Sequence, residues 1–115
     1  MHRILSFKYA FEGIADAIKE EPNLKFHLVV AVVVILVGFW VGLAKVDWIL
    51  VTILIGLVIS VELTNTAIEA VVNAFTDKEH PGAKLAKDIS AGAVLVTAIT
   101  AFIAGLMIFL PYFKF

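Results

Sequence analysis

The sequence contains no cysteine, only three prolines, and a charged fraction of 17%. The absence of cysteine excludes disulfides, thiolate zinc sites and cysteine nucleophiles, so any bound metal needs carboxylate, histidine or ligand-oxygen donors. No lysine and arginine cluster and no aromatic RNA-binding motif occurs, which argues against nucleic-acid binding. The sequence also lacks a P-loop, a protein-kinase motif set and a hydrolase nucleophile elbow, so these soluble enzyme classes are excluded.

Hydrophobic residues, in contrast, make up 62% of the 115 residues, and the mean hydropathy is +1.02. A soluble core of this size could not hide so much apolar surface. We therefore predict an all-α membrane protein with a single domain, 1–115. Three membrane helices, at 23–45, 48–75 and 82–112, are expected to follow an N-terminal amphipathic interfacial helix at 1–20.

The N-terminal segment places its apolar side chains on one helix face, with charged residues elsewhere around the helix. These apolar residues are Ile4, Phe7, Phe11, Ile14 and Ile18. The pattern predicts a helix lying in the membrane interface, and the alternative is a helix packed on the bundle by the same face. Pro22 disfavours helical geometry at Glu21 and fits a first helical turn, so the chain is expected to break and restart there.

The distribution of lysine and arginine predicts the orientation of the chain. Seven of the nine basic residues precede the charge-free run 28–44 or lie between the second membrane helix and the charge-free run 89–113, and two lie on the opposite side. The seven are Arg3, Lys8, Lys19, Lys25, Lys78, Lys84 and Lys87. Because cytoplasmic loops carry an excess of such residues, we expect the N-terminus and the second loop in the cytoplasm.

A row of polar residues interrupts the second membrane helix. Glu62, Asn65, Glu69 and Asn73 follow one another at spacings of three, four and four residues, which places them on one helix face. An ionisable side chain at bilayer depth costs about 3 kcal/mol, so such a row indicates a functional site. The alternative for Glu62 and Asn65 is hydrogen bonding between helices.

The carboxylates of Glu62 and Glu69 are expected at different depths in the bilayer. With Asp47 as the expected N-cap and a rise of 1.5 Å per residue, Glu62 lies about 22 Å along the helix, roughly 8 Å below the cytoplasmic boundary of a 30 Å hydrocarbon core. Glu69 lies about 10 Å further on, at headgroup level. Glu21, Lys87 and Asp88 are expected to reach the same level from the ends of the other helices.

This set of residues fits phosphate chemistry at a membrane surface. Glu21 and Glu69 could hold Mg²⁺, which takes one or two carboxylates together with substrate phosphates, and Lys87 supplies a cation for phosphate oxygens. Glu62 could act as a general base toward a lipid alcohol at headgroup depth. Taken singly, the charged residues at the interface could instead be snorkelling side chains. We interpret His27 and His80 as interfacial or loop residues.

The motifs resemble a known family. Glu62-Leu-Thr-Asn65-Thr-Ala-Ile-Glu69-Ala-Val-Val, His80-Pro81 and Ala86-Lys87-Asp88-Ile-Ser-Ala-Gly are similar to segments of the prokaryotic diacylglycerol kinase family of small trimeric membrane enzymes. The segment Glu21-Pro-Asn23-Leu-Lys25-Phe-His27 resembles the Gram-positive branch, whose members prefer undecaprenol.

The resemblance implies a homotrimer in the bacterial cytoplasmic membrane, with active sites between subunits near the cytoplasmic face. Glu62 would be the catalytic base, and Glu21 and Glu69 would hold the Mg²⁺ that bridges the ATP phosphates. The implied nucleotide contacts are Tyr9, Asn65, Glu79, His80, Lys87 and Asp88. Asn73 stands where the family usually has aspartate, and Glu79 where an aromatic residue is expected.

We therefore predict ATP-dependent phosphorylation of a membrane lipid alcohol, undecaprenol or diacylglycerol, by direct in-line transfer. The alternative is a small oligomeric transporter that couples transport to a proton or cation at Glu62. That alternative accounts for a carboxylate at the depth of Glu62 in the membrane, but not for the charged residues expected at the cytoplasmic level.

Overall fold

The computed structural model describes residues 3–76, 78 and 80–113, and almost all of them are helical. The helices are α1 (Arg3–Glu20), α2 (Pro22–Val41), α3 (Lys45–Phe75) and α4 (Pro81–Phe109), and a short 3₁₀ turn, Leu110–Tyr112, follows α4. The segments Pro22–Val41, Lys45–Phe75 and Pro81–Tyr112 are each long and apolar enough to cross a membrane. The predicted all-α membrane class is confirmed.

The junction between α1 and α2 is a single extended residue. Glu21 has φ −109° and ψ 107°, and Pro22 occupies the first turn of α2, where its missing N–H costs nothing. On α1, the apolar side chains of Phe7 and Phe11 are 67% and 71% exposed. Ile18, near the end of the same helix, is half-buried, so α1 contacts the bundle toward its C-terminal end and leaves these aromatic side chains exposed.

The turn between α2 and α3 corrects the expected start of the second membrane helix. Gly42 adopts φ 72°, a left-handed conformation that glycine takes without strain, and its N–H donates to the Gly38 oxygen at 3.0 Å. The chain reverses at once, so α3 begins at Lys45 with Ala44 as its N-cap. Asp47, expected as the N-cap, lies in the first turn instead, and its carboxylate accepts a hydrogen bond from the Tyr112 hydroxyl.

Contacts at both ends of the bundle show that α3 runs antiparallel to α2 and to α4. Asp47 of α3 meets Tyr112 after α4, whereas Asn65 meets Ser90. The ring of Trp48 at the start of α3 lies 4.8 Å from the ring of Phe39 near the end of α2. The end of the bundle that contains the α2–α3 turn is called the turn end, and the opposite end is called the site end.

The turn end contains the small apolar core of the chain. Leu43, Val51 and Ile108 are buried there, and Trp48 packs against them. Gly38 lies so close to Trp48 that a Cβ atom at this position would be 2.7 Å from Trp48 Cη2. From this core an apolar groove of about 480 Å³ runs between α2, α3 and α4 and reaches His27.

Candidate functional site

Glu62 is the most deeply buried charged side chain that the structure describes. It lies on α3 with 1% of its surface exposed. His27 of α2 approaches it, with Nε2 at 3.3 Å from Glu62 Oε2. This contact does not have the geometry of a hydrogen bond, and Oε2 has no hydrogen-bond partner among the described residues. A buried carboxylate oxygen without a hydrogen bond is costly, and such groups are found where chemistry needs them.

A hydrogen-bonded chain connects α3 and α4 one turn away from Glu62. The Ser90 hydroxyl donates to Asn65 Oδ1 at 2.7 Å, and both side chains are buried. Asn65 Nδ2 in turn donates to Glu69 Oε1 at 3.3 Å. Asn65 therefore uses both ends of its amide, and its contact with α4 orients the carboxylate of Glu69.

The antiparallel arrangement sets the levels of the other charged residues. Glu69 lies seven residues beyond Glu62 on α3, and Glu21 lies six residues before His27, so both are displaced toward the site end by about 9 to 10 Å. Lys87 precedes Ser90 by three residues, which places it about 5 Å beyond the Asn65–Ser90 contact toward the same end. The predicted metal and phosphate ligands therefore share one level, above Glu62.

The side chain of Glu21 is half-buried and makes no capping hydrogen bond to α2, although the residue occupies the N-cap position. Within residues 3–76, 78 and 80–113, no three acidic, histidine or cysteine side chains cluster as a complete metal site. Mg²⁺ characteristically takes one or two carboxylates and completes its shell with phosphate oxygens and water. Carboxylates such as those of Glu21 and Glu69 are of the type that Mg²⁺ takes.

The start of α4 is stabilised by its own side chains. His80 is the N-cap of α4, and its Nδ1 accepts hydrogen bonds from the backbone N–H groups of Gly82 at 3.0 Å and Ala83 at 3.4 Å. Lys84 and Asp88 form an exposed ion pair one turn apart, with Nζ at 2.6 Å from Oδ2. Lys87 is half-buried and takes no part in this pair. Of the two predicted nucleotide contacts on α4, the structure leaves Lys87 the more available for phosphate.

For the remaining predicted residues, the structure shows only their exposure and their position along the chain. Tyr9 is exposed on α1, and no hydrogen bond joins it to the polar groups of α3 and α4 in the part of the chain that is described. Asn73 is exposed two turns beyond Asn65. Glu79 lies outside the described residues.

The sequence analysis missed the contacts of His27 and of Ser90, and the ion pair between Lys84 and Asp88. His27 was interpreted as an interfacial or loop residue. In the structure it is part of α2 and contacts Glu62. Ser90 gave no signal, because a single serine in an apolar helix is common and its partner lies on another helix. Lys84 and Asp88 were recognisable, since an i, i+4 spacing of opposite charges predicts a pair on one helix face.

Comparison with known proteins decides the family. The sequence model of the family described as "Prokaryotic diacylglycerol kinase" matches residues 8–109. The chain belongs to the prokaryotic diacylglycerol kinase family.

Three relatives show the range of the similarity. The undecaprenol kinase of Bacillus subtilis is 48% identical over 92% of this chain and 86% of its own length. The diacylglycerol kinase of Synechocystis is 37% identical over 94% of this chain, which spans 62% of that longer relative. The diacylglycerol kinase of Haemophilus influenzae is 32% identical over 83% of this chain and 80% of its own length.

Membership in this family confirms the predicted enzyme class, a lipid kinase. It also removes the support for a transporter that uses Glu62 as its coupling site. ATP follows as the co-substrate of a kinase.

Proposed function

We propose that this lipid kinase transfers the γ-phosphoryl group of ATP to the hydroxyl group of undecaprenol, and to diacylglycerol less efficiently. The preference for undecaprenol is supported by the 48% identity to the Bacillus enzyme named undecaprenol kinase, against 37% and 32% for two relatives named diacylglycerol kinase. Both acceptors present a primary alcohol at the membrane surface with an apolar body in the bilayer, so the same site chemistry serves either.

The observation that carries the proposal is the buried carboxylate of Glu62 with a hydrogen-bond acceptor left open. Glu62 Oε2 is excluded from solvent and accepts no hydrogen bond from the described residues. A membrane alcohol brought to this oxygen would donate its hydroxyl proton there. A general base must lie within hydrogen-bond reach of the proton it removes, and a carboxylate at this depth meets that condition for a lipid but not for a water-soluble alcohol.

In the proposed reaction, Glu62 Oε2 accepts the hydroxyl proton as the acceptor oxygen forms a bond to the γ-phosphorus. The bond from the γ-phosphorus to the bridging oxygen breaks in line, and ADP leaves with that electron pair. The products are the lipid phosphate, ADP and one proton, which Glu62 passes to solvent before the next turnover. No covalent enzyme intermediate is required, because transfer is direct.

The nucleotide is proposed to lie above Glu62, at the level shared by Glu21, Glu69 and Lys87. Glu21 and Glu69 would hold Mg²⁺, which when bound neutralises phosphate charge and orients the triphosphate. Lys87 would pair with phosphate oxygens, and Asn65 would hold Glu69 in place through its 3.3 Å hydrogen bond. Tyr9, Glu79, His80 and Asp88 are proposed as further nucleotide contacts, His80 through the helix start that it caps.

We further propose a homotrimer in the bacterial cytoplasmic membrane, with the site end toward the cytoplasm. The orientation is supported by the excess of lysine and arginine at that end. The oligomer is supported by small and polar side chains that one chain leaves exposed on α3, namely Ser60, Thr64 and Ala67, because such residues let membrane helices pack closely.

Purified enzyme in lipid vesicles with Mg²⁺ and γ-labelled ATP tests the proposal. We expect label in the lipid phase with undecaprenol or diacylglycerol, and faster transfer to undecaprenol at equal mole fraction. Glu62→Gln protein in identical vesicles is the matched negative control, since it keeps the shape and the bilayer insertion of the enzyme. No label in either acceptor would contradict the proposed function, and faster labelling of diacylglycerol would contradict the acceptor preference alone.

A further inference from the structure

His27 takes no part in the proposed reaction, yet it is the residue that reaches the catalytic carboxylate. Its Nε2 lies 3.3 Å from Glu62 Oε2, and its side chain is 16% exposed, against 1% for that of Glu62. The contact joins α2 to α3 across the interior of the chain, where solvent does not compete. An interaction between two ionisable groups is strongest in such a place.

Glu62 needs a partner of this kind. An ionised carboxylate out of water is unfavourable unless another charge or a hydrogen-bond donor compensates it. In the part of the chain that is described, His27 is the ion-pair partner within 4 Å of this carboxylate. Thr66, one turn along α3, donates its hydroxyl to the Glu62 backbone oxygen at 3.0 Å and so does not serve the carboxylate.

We propose that His27 is a positioning residue for Glu62. Its Nε2–H donates to the carboxylate and so sets the direction in which Oε2 meets the acceptor hydroxyl. This inference rests on the proposed function, because it assigns His27 a role only through the proposed base.

The present geometry is consistent with this role. The distance from His27 Nε2 to Glu62 Oε2 is only slightly longer than that of a hydrogen bond. Hydrogen bonds of catalytic groups are often long or poorly aligned before substrate binds, and they tighten in the complex.

Two amide substitutions separate positioning from simple helix packing. His27→Gln places an amide donor at nearly the reach of Nε2, whereas His27→Asn carries the same amide one methylene short of it. Both keep a polar group between α2 and α3. Thr66→Val is the control, since it removes a hydrogen bond to the Glu62 backbone and leaves the carboxylate untouched.

The measurement is the rate of lipid phosphorylation in vesicles, with kcat and the KM for ATP determined separately. For His27→Asn we expect kcat to fall by about 10²-fold with a nearly unchanged KM, because misplacing a reacting group costs about that much. His27→Gln should recover most of the lost kcat, to within about tenfold of the wild-type enzyme. Thr66→Val should retain wild-type kcat.

Several results would overturn the inference. These are an unchanged kcat in His27→Asn, an equal fall in both amide variants, or an equal fall in Thr66→Val. Failure of both amide variants to fold would assign His27 to helix packing and would overturn it too. A wild-type enzyme that labels no lipid would instead contradict the proposed function, so the two failures are distinguishable.

Discussion

At the turn end of the bundle the helices meet through buried apolar side chains, Leu43, Val51 and Ile108, whereas at the site end the buried groups include Glu62, Asn65 and Ser90. At the turn end the Asp47 carboxylate accepts a hydrogen bond from Tyr112, whose hydroxyl accepts one from the Ala44 N–H at 2.9 Å. At the site end one carboxylate oxygen, Glu62 Oε2, has no hydrogen bond.

This difference indicates that the two ends of the same three helices have different roles. Close packing at the turn end fixes how the helices are spaced, because packed interiors resist small displacements. The site end can then tolerate a buried charge that reduces its own stability. Substitutions at the site end should therefore change turnover more than stability, and substitutions at the turn end should do the reverse.

The largest expected effect is that of Glu62→Gln. Removing a general base lowers kcat by about 10² to 10⁴-fold, and we expect a loss near 10³-fold with little change in the KM for ATP. The thermal stability of the enzyme in detergent should be unchanged or higher, because a neutral amide is cheaper to bury. Initial rates in vesicles and a thermal unfolding curve check both parts.

Glu12→Gln is the matched control for this prediction, since Glu12 is exposed on α1 and the chemical change is the same. Wild-type turnover in Glu62→Gln would remove Glu62 from the reaction. A large loss of stability with proportional loss of activity would instead make Glu62 a structural link between helices.

The next effect concerns Glu21 and Glu69, the two proposed magnesium ligands. Glu69→Gln and Glu21→Gln should each raise the magnesium concentration needed for half-maximal activity by about tenfold or more, since loss of a ligand weakens metal binding. Excess magnesium should restore part of the rate. Rates measured across a magnesium titration test this, with Glu20→Gln, exposed beside Glu21, as the control. An unchanged magnesium requirement in both variants would contradict the proposed metal ligands.

At the turn end, Gly38→Ala should reduce stability without changing the chemistry. The added Cβ would lie 2.7 Å from Trp48 Cη2 and 2.9 Å from Leu43 Cδ1, so the packing must shift. Overpacking of this kind costs about 1–3 kcal/mol. Thermal unfolding should show the loss, while kcat per folded enzyme stays at the wild-type value.

The control is Gly13→Ala, where the added Cβ would meet no described atom within 4 Å beyond its chain neighbours and the nearby backbone of α1, and where alanine favours the helix. A large fall in kcat for folded Gly38→Ala would contradict the separation of the two ends.

The sequence alone was sufficient for the class and for the row of polar residues. Hydropathy revealed the membrane helices because an apolar run of about twenty residues matches the thickness of the bilayer core, and the i, i+3, i+4 spacing placed Glu62, Asn65 and Glu69 on one face. Pro22 marked the restart of the chain, since proline restricts the residue before it.

Contacts between helices could not be predicted from the sequence in this way. The pairing of Asn65 with Ser90 and of Glu62 with His27 depends on the register of neighbouring helices, which no local pattern in one helix specifies. The start of α3 was misplaced because Asp47 is a good N-cap by type, whereas the left-handed Gly42 reverses the chain earlier and Tyr112 binds the Asp47 carboxylate. Tertiary contacts thus override local preference where a side chain has two possible partners.

The smallest expected effect is that of Ser90→Ala, which tests whether a helix contact at the site end also affects the magnesium requirement. Ser90→Ala removes the 2.7 Å hydrogen bond to Asn65 Oδ1, and interhelical bonds of this type in membranes contribute about 0.6 kcal/mol on average. Because Asn65 also holds Glu69, we expect a several-fold rise in the magnesium requirement beside this small loss of stability. Thr97→Val on the same helix removes only a bond to the Ala93 oxygen and should change neither quantity. A stability loss in Ser90→Ala with an unchanged magnesium requirement would mean that the Asn65–Ser90 contact only holds α3 against α4, and that Glu69 keeps its orientation without it.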